Sequence, residues 1–294
     1  MVDLVTEIRS ACARVAERAR HVSIDAAAIP EYAVSLPLSQ PAAGPDPELP
    51  NPAAFWLTLN AINFGSGWFP TLRKPAGMSG YRTIEAGIRE RFERHGPWSP
   101  AELARIEAAE IASALGQDAG HELMALFAAS LRDLGARITD FDVAARADSA
   151  LELATRLSGW ECFADLSTYD GEPVPFYKRA QIAVADLVRA RVIDPPDIGR
   201  LTMFADNLVP HVLRLDGILT FDPELVGRID RGELLEHGSP EEVEIRACAL
   251  HAVELIVGTR QETCAAAVDE LLWKRGAGDR YKARQRHRSR CTAY

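Results

Sequence analysis

Residues 239–255 read SPEEVEIRACALHAVEL, and the fold class turns on how they are read. Ser239 with Glu242 three residues on is a capping-box signature, and Pro240 stands at the first helical position, where its missing N–H leaves nothing unsatisfied. The apolar run behind these residues predicts a helix through Leu255. Ser99-Pro100-Ala101-Glu102 repeats the signature, and the helix after it places Leu103, Ile106 and Ile111 on one face.

The rest of the chain reads the same way. Helices are expected over 3–19, along the stripe Leu123, Leu126, Phe127, Leu131 and Leu134, and over 143–157, 176–191, 197–215, 222–231 and 260–275. Residues 53–64 form an apolar, partly aromatic segment that GSGW ends. The proline-rich stretch 36–52, LPLSQPAAGPDPELPNP, is expected to be a surface loop. Residues 160–176, with Gly and two prolines, read as a loop or a short strand pair. Alternating strand patterns are otherwise nearly absent. The expectation is an all-α globule of about ten helices, read as a single domain over 1–294, with no fixed-period repeat.

Composition narrows the function. Hydrophobic residues make up 47% and charged residues 26% of 294 positions, ordinary for a globular chain with a large core. The net charge of −9 argues against duplex nucleic acid and anionic membrane as partners. Five scattered cysteines with no C-x-x-C pair argue against zinc and a disulfide framework, and suit a reducing cytoplasm. No apolar stretch approaches the roughly 20 residues of a membrane span, and the N-terminus lacks a signal-peptide pattern. Phosphate-loop, dinucleotide and nucleophile-elbow motifs are absent, His251-x-x-Glu254 stands alone, and neither a metal nor an organic cofactor is implied.

Four places carry chemistry. In LTMFADNLVP (201–210) a single carboxylate, Asp206, sits in an apolar run with Pro210 four residues on. In a helix, Pro210 would leave the carbonyl of Asp206 without its donor. The residue reads either as a carboxylate at the floor of an apolar pocket or as a capping or salt-bridged Asp. In FYKRAQIAVADLVRAR (176–191), Lys178 and Arg179 start a helix, where cations oppose the macrodipole. Arg179 and Asp186 share a face and read as a structural pair; Lys178 is free to reach another helix or to snorkel. Phe55, Trp56, Asn63, Phe64, Trp68 and Phe69 form a dense aromatic cluster, suited to stacking a flat heterocycle or simply to core packing. The tail KARQRHRSRCTAY carries Lys282, Arg284, Arg286, His287, Arg288 and Arg290, either an anion site or a solvated terminus.

Taken in order, RHVSID (20–25), LNAINFGSGW (59–68), FYKRAQIAVAD (176–186), LTMFADNLVP (201–210), EEVEIRACALHAVE (241–254), DELLW (269–273) and HRSRCTAY (287–294) resemble the queuosine salvage proteins, also called queuosine 5′-phosphate N-glycosylases/hydrolases. The resemblance implies an all-helical fold similar to DNA-glycosylase cores. It also implies cofactor-free hydrolysis of the N-glycosidic bond of queuosine 5′-monophosphate to queuine and ribose 5-phosphate. It makes Asp206 the catalytic residue, Phe204 a wall of the base site and Asp269 a base-recognition carboxylate. Family members carry a tyrosine after that Asp and an acid after the Trp, where this chain has Glu270 and Lys274. Glu270 is then the acid at hand for the cationic amine of queuine.

On this reading Asp206 stabilises the oxocarbenium-like sugar and accepts a proton from water, with Lys178 as its cationic partner or as a phosphate ligand. Tyr177, Asn63, Phe64 and Trp68 join Phe204 around the base, and His287 belongs to the tail that meets the phosphate. The expected partner is a small-molecule nucleotide, and the expected state a monomer. Two other readings stay open: a glycosylase for another nucleoside or nucleotide, and a non-catalytic binder of a modified nucleobase.

Overall fold

Asp3 opens the chain's first helix by accepting the N–H of Thr6 at 2.9 Å. The structure, a computed structural model, describes residues 3–37, 49, 51–141, 147–260 and 262–294. Most of the proline-rich stretch 36–52 and the start of the helix expected over 143–157 lie outside the described residues.

Among the described residues the elements run α1 (Leu4–Arg18), β1 (Val22–Ile24), α2 (Ile29–Ser35), α3 (Pro52–Ala61), α4 (Gly80–His95), α5 (Pro100–Leu103), α6 (Ala108–Ala114), α7 (Glu122–Arg137) and α8 (Ala150–Ser158). They continue with β2 (Leu166–Tyr169), β3 (Glu172–Pro175), α9 (Lys178–Arg189), α10 (Leu208–Leu215), β4 (Leu219–Phe221), α11 (Pro223–Asp230), α12 (Pro240–Thr259), α13 (Ala265–Arg275) and α14 (Asp279–Lys282). The fold is mainly helical, as expected. The helices outnumber the expected ten because several are single turns. At Ser99 the reciprocal capping box is formed, yet α5 ends after four residues and α6 starts separately. At Ser239 the cap is half-formed: its hydroxyl accepts Glu242 N–H, while the Glu242 carboxylate turns to Gly238 N–H at 3.0 Å.

Two small antiparallel pairs complete the architecture. β2 and β3 form the hairpin expected in 160–176, turned by Asp170-Gly171 with both φ angles positive (48° and 81°), as a two-residue hairpin loop requires. β1 pairs with β4, Val22 opposite Phe221 and Ile24 opposite Leu219.

The central helix is α12, enclosed through its middle while Pro240, Gly258 and Thr259 at its ends are exposed. Val243 to Leu250, Ala252, Val253 and Ile256 are all enclosed, and α1, α2, β1, α10 and α13 pack around it. A helix apolar on every side belongs at a centre. Its charged residues are therefore each given partners. The Glu244 carboxylate accepts the backbone N–H groups of Arg20, His21 and Val22 (3.0, 2.6 and 3.1 Å) and the Tyr169 hydroxyl (2.7 Å), tying RHVSID and the β2–β3 hairpin to the core helix.

The largest departure lies at 197–215. Instead of one helix there is a single 3₁₀ turn at Ile198–Arg200, a stretch without regular secondary structure over 201–206, and then α10. Pro210 sits in the first turn of α10, where no intrahelical donor is needed, so it marks a helix start and not a break within one.

Candidate active site

The irregular stretch 201–206 belongs to neither strand pair, and helices supply hydrogen bonds to its backbone through side chains. Thr202 N–H donates to Gln181 Oε1 of α9 at 3.0 Å. Phe204 N–H donates to Asp269 Oδ2 of α13 at 3.0 Å. The Ala205 carbonyl accepts from Arg246 Nε of α12 at 3.0 Å. Three helices thus hold the backbone that presents Asp206. Buried peptide groups must be paired, so this arrangement is the condition for a non-helical segment in the interior.

Asp206 is half-buried and caps α10: Oδ1 accepts Leu208 N–H at 2.8 Å and Val209 N–H at 3.1 Å. The capping reading is therefore correct for one oxygen. Among the described residues Oδ2 has no hydrogen-bond partner, and no arginine forms an ion pair with the carboxylate. One oxygen fixes the group while the other faces outward.

Lys178 begins α9 directly after Tyr177, which is half-buried in the left-handed conformation (φ 47°, ψ 41°). Such a backbone is uncommon for a non-glycine residue and is held by its surroundings. Here the carbonyl of Asp165 accepts Phe176 and Tyr177 N–H, and Asp165 Oδ2 accepts Lys178 N–H at 3.0 Å. The lysine side chain is buried, and its ammonium donates to the Asn63 carbonyl at 3.1 Å. Burial pulls it from 10.5 to about 8, against the attraction of Asp206 and Asp269. Asp269 is buried too, and burial, with Asp206 beside it, holds its carboxyl well above the usual carboxylate range. Lys178, Asp206 and Asp269 come from three distant segments and sense one another's charge. Phe204, 8% exposed, holds Asp269 through its backbone N–H and lies two residues before Asp206 in the chain.

Other expected site residues lie further out or deeper. Phe64 is enclosed, edge-on to Phe127 with ring centroids 5.0 Å apart, under the Arg179 guanidinium. It is a core ring. Trp68 gives its indole N–H to Glu122 at 2.7 Å and lies under Arg290. The Asn63 amide bonds to Asn60, so only its carbonyl meets Lys178. Glu270 is engaged by Lys274 at 2.5 Å, so the two departures from the family pattern pair with each other. His287 is fully buried and pushed down to about 3 by burial, hence a neutral wall residue. The expected Arg179–Asp186 pair does not form. Arg179 donates to the carbonyls of Ala61 and Cys162, while Asp186 takes Asn60 and Arg189, because the end of α3 lies between them.

The sequence reading passed over Arg246. Its guanidinium is fully buried between the rings of Phe176 (3.9 Å) and Tyr294 (4.5 Å). It bonds Asp165 at 2.7 Å and faces Glu242 at 3.7 Å. Through Ala205 and Asp165 it ties the Asp206 segment to the start of α9. The available signal was Glu242 and Arg246, opposite charges four residues apart on a helix that is otherwise mostly apolar. The tail is ordered around this centre. Tyr294 is 3% exposed, and its carbonyl accepts Gly65 N–H at 3.0 Å. A side chain at Gly67 would meet the Ser289 carbonyl at 2.5 Å, so only glycine admits the tail there.

A broad cleft of about 1020 Å³ lies elsewhere, lined by Arg73, Lys74, Glu90, Arg91, Arg94 and Gln117. Several of its cations have local partners: Arg94 pairs with Glu90, Arg73 with Asp118, and Arg91 bonds the Gly96 carbonyl. It holds no buried, charge-coupled group of the kind at Asp206, so its size does not make it the reacting site. Among the described residues no cluster of three or more His, Cys, Asp or Glu is placed to hold a metal ion, and no helix is long and apolar enough to cross a membrane.

Comparison with known proteins bears on the same segments. The family model described as queuosine salvage protein matches residues 45–294. The chain is 36% identical over 247 residues, 76% of either chain, to the queuosine 5′-phosphate N-glycosylase/hydrolase of Sphaerobacter thermophilus. It is 41% identical over 100 residues to the protein of that name from Bos taurus, covering 32% of this chain and 29% of the other. The Dictyostelium discoideum protein of the same name is 38% identical over 135 residues, 43% and 42% of the two chains.

Proposed function

The chain belongs to the queuosine salvage protein family, and from that premise we propose that it hydrolyses the N-glycosidic bond of queuosine 5′-monophosphate, releasing queuine and ribose 5-phosphate. The observation that carries the reading is the convergence of Lys178, Asp206 and Asp269 at the half-buried end of the 201–206 segment.

Cleavage passes through a sugar with oxocarbenium character, so a fixed negative charge beside the anomeric carbon lowers the barrier. Asp206 supplies it. Its Oδ1 is immobilised by two N–H groups, which leaves Oδ2 to face the sugar and to take a proton from the attacking water. Lys178 balances the charge of Asp206 in the buried site. The leaving base is a 7-deazaguanine: carbon replaces the nitrogen that a purine glycosylase protonates. Help must therefore reach N3 or O6. Asp269, held toward its protonated form, can donate there, and Phe204 stacks against the ring. Base–aromatic stacking contributes about 1–3 kcal/mol at comparable sites. Glu270, which Lys274 engages in the free protein, exchanges that partner for the cationic amine of queuine. The protein works as one domain and a monomer, in the cytoplasm, on a free nucleotide.

The test is mass spectrometry of purified protein with queuosine 5′-monophosphate, looking for free queuine, beside Asp206→Asn. The wild type should release queuine, and the variant should turn over about 10²–10⁴-fold more slowly while folding normally. Turnover by the variant within about tenfold of wild type removes Asp206 from the chemistry.

A further inference from the structure

We infer that His237 is a positioning residue for Asp206: its side chain balances Glu242, so that Arg246 stays on Asp165 and on the carbonyl of Ala205. The inference rests on the reaction proposed above and adds to it a residue outside the reacting centre.

His237 stands in the loop between α11 and α12. Its Nδ1 faces Glu242 Oε2 at 3.5 Å, and Gly238 N–H donates to the same oxygen at 3.0 Å. The other carboxylate oxygen, Oε1, lies 3.7 Å from Arg246 Nη1, outside hydrogen-bond distance. Glu242 is fully buried with a cation on either side. Burial pushes its carboxyl up; the His237 hydrogen bond and the charges of Arg246 and His237 overcome this and bring it down to about 2. The group is a carboxylate at neutral pH, and two cations share its charge.

The tail holds the ring in place. Hydrogen bonds with Cys291 and with Glu242 push His237 up to about 10, so it is an imidazolium at neutral pH. An imidazolium donates from both ring nitrogens, which suits two acceptors. Leu235 N–H donates to the Arg288 carbonyl at 2.9 Å and fixes the loop to the same tail. Cys291 packs with Ala293 and Tyr294 in an apolar cluster apart from the main core, and the Tyr294 ring lies against Arg246.

Arg246 has its shorter bonds elsewhere. Nη2 donates to Asp165 Oδ2 at 2.7 Å and Nε to the Ala205 carbonyl at 3.0 Å. Ala205 precedes Asp206, and Asp165 holds the N–H of Lys178. A guanidinium presents its N–H groups in one rigid plane, so it cannot turn toward Glu242 and keep both of these partners. With the charge at 237 removed, Glu242 is a buried carboxylate whose one cation lies four residues along its own helix. A buried charge left short of counter-charge is strongly unfavourable. The pull on Arg246 grows, and the Ala205 carbonyl loses its donor. A shift of about 1 Å at a reacting group lowers turnover by as much as about 10²-fold.

The experiment compares wild type with His237→Gln, His237→Lys, Glu242→Gln and the double variant His237→Gln/Glu242→Gln. It measures kcat and KM for queuosine 5′-monophosphate, and hydrogen–deuterium exchange of the amides of 201–210, which needs no turnover. His237→Gln should lower kcat about 10- to 100-fold with KM within about twofold. It should speed exchange at Phe204, Leu208 and Val209 about tenfold, since their N–H groups are held by Asp269 and Asp206. His237→Lys keeps a cation and should recover most of both. The double variant should return to within about threefold of wild type, because no carboxylate then competes for Arg246, whereas a ring that only packs gives losses that add. Additive losses in the double variant, or exchange over 201–210 in His237→Gln equal to wild type, overturn the assignment. If His237→Gln does not fold, the double variant decides: recovery of fold and turnover upholds the competition, and failure of both overturns it. A wild type that releases no queuine sinks the proposed reaction instead, and the exchange measurement then decides the role of His237 by itself.

Discussion

Replacing Lys178 by methionine should make this protein more stable and nearly inactive. The side chain is 5% exposed, and burial brings its ammonium from 10.5 to about 8. At about 1.36 kcal/mol per pH unit, that fall corresponds to about 3 kcal/mol by which the charged lysine opposes folding at pH 7. Methionine is close in volume and uncharged. It gives up the bond from Nζ to the Asn63 carbonyl, about 1 kcal/mol. The net gain is about 2 kcal/mol at pH 7, or roughly 4–8 °C in Tm for a domain of this size class. The sign depends on pH. Below pH 8 the folded chain must carry the unwelcome charge, so the penalty is fully present. Between pH 8 and 10.5 the folded protein has released the proton and the unfolded chain still holds it, so wild-type stability rises with pH. The advantage of the variant should therefore shrink across that window and vanish by its top. Urea unfolding at pH 7, 8.5 and 10 measures it, and turnover of queuosine 5′-monophosphate in parallel should fall at least about 10²-fold. A variant less stable than wild type at pH 7, or a stability gap that does not move with pH, refutes the reasoning.

Three further outcomes follow from the same geometry. Arg246→Met leaves Asp165 buried without its cation and Glu242 with His237 alone, so it should lose about 3–5 kcal/mol in chemical denaturation; wild-type stability would mean that the guanidinium holds nothing together. Gly67→Ala drives a methyl group into the Ser289 carbonyl, which should cost about 1–3 kcal/mol and expose the last residues to carboxypeptidase, and a tail as resistant as wild type would contradict that packing. Asp269 keeps a proton in the folded state that the unfolded chain gives up near 3.8, so its contribution to stability falls as pH rises through its raised value. Asp269→Asn should accordingly lose less stability than wild type between pH 4 and 8, and parallel pH profiles for the two proteins would show that the carboxyl is not held protonated.

Much of the fold was legible because its causes are local. The Ser99 and Ser239 caps, the stripe on α7, the Asp170-Gly171 turn and the amphipathic α1 are written within a few residues of where they act. The family resemblance, too, singles out Asp206, Phe204 and Asp269 without coordinates, and Lys178 stands out as the first cation of FYKR. What misled the reading was Pro210. Inside an apolar run it resembles a kink, and nothing nearby says that the helix starts two residues before it. Phe64, Trp68 and His287 were equally ambiguous, since an aromatic or imidazole ring has the same sequence signature in a core as in a binding site.

Residue order alone determined a helical protein with a family-specific set of charged residues, because capping, periodicity and motif identity depend on neighbours along the chain. Only tertiary structure decided that 201–206 runs without regular secondary structure, and that Arg246 and Asp165 join it to the start of α9. The physical reason lies in where the partners come from. Gln181, Asp269 and Arg246 reach that backbone from three separate helices, and a hydrogen bond across 65 residues leaves no periodicity to read.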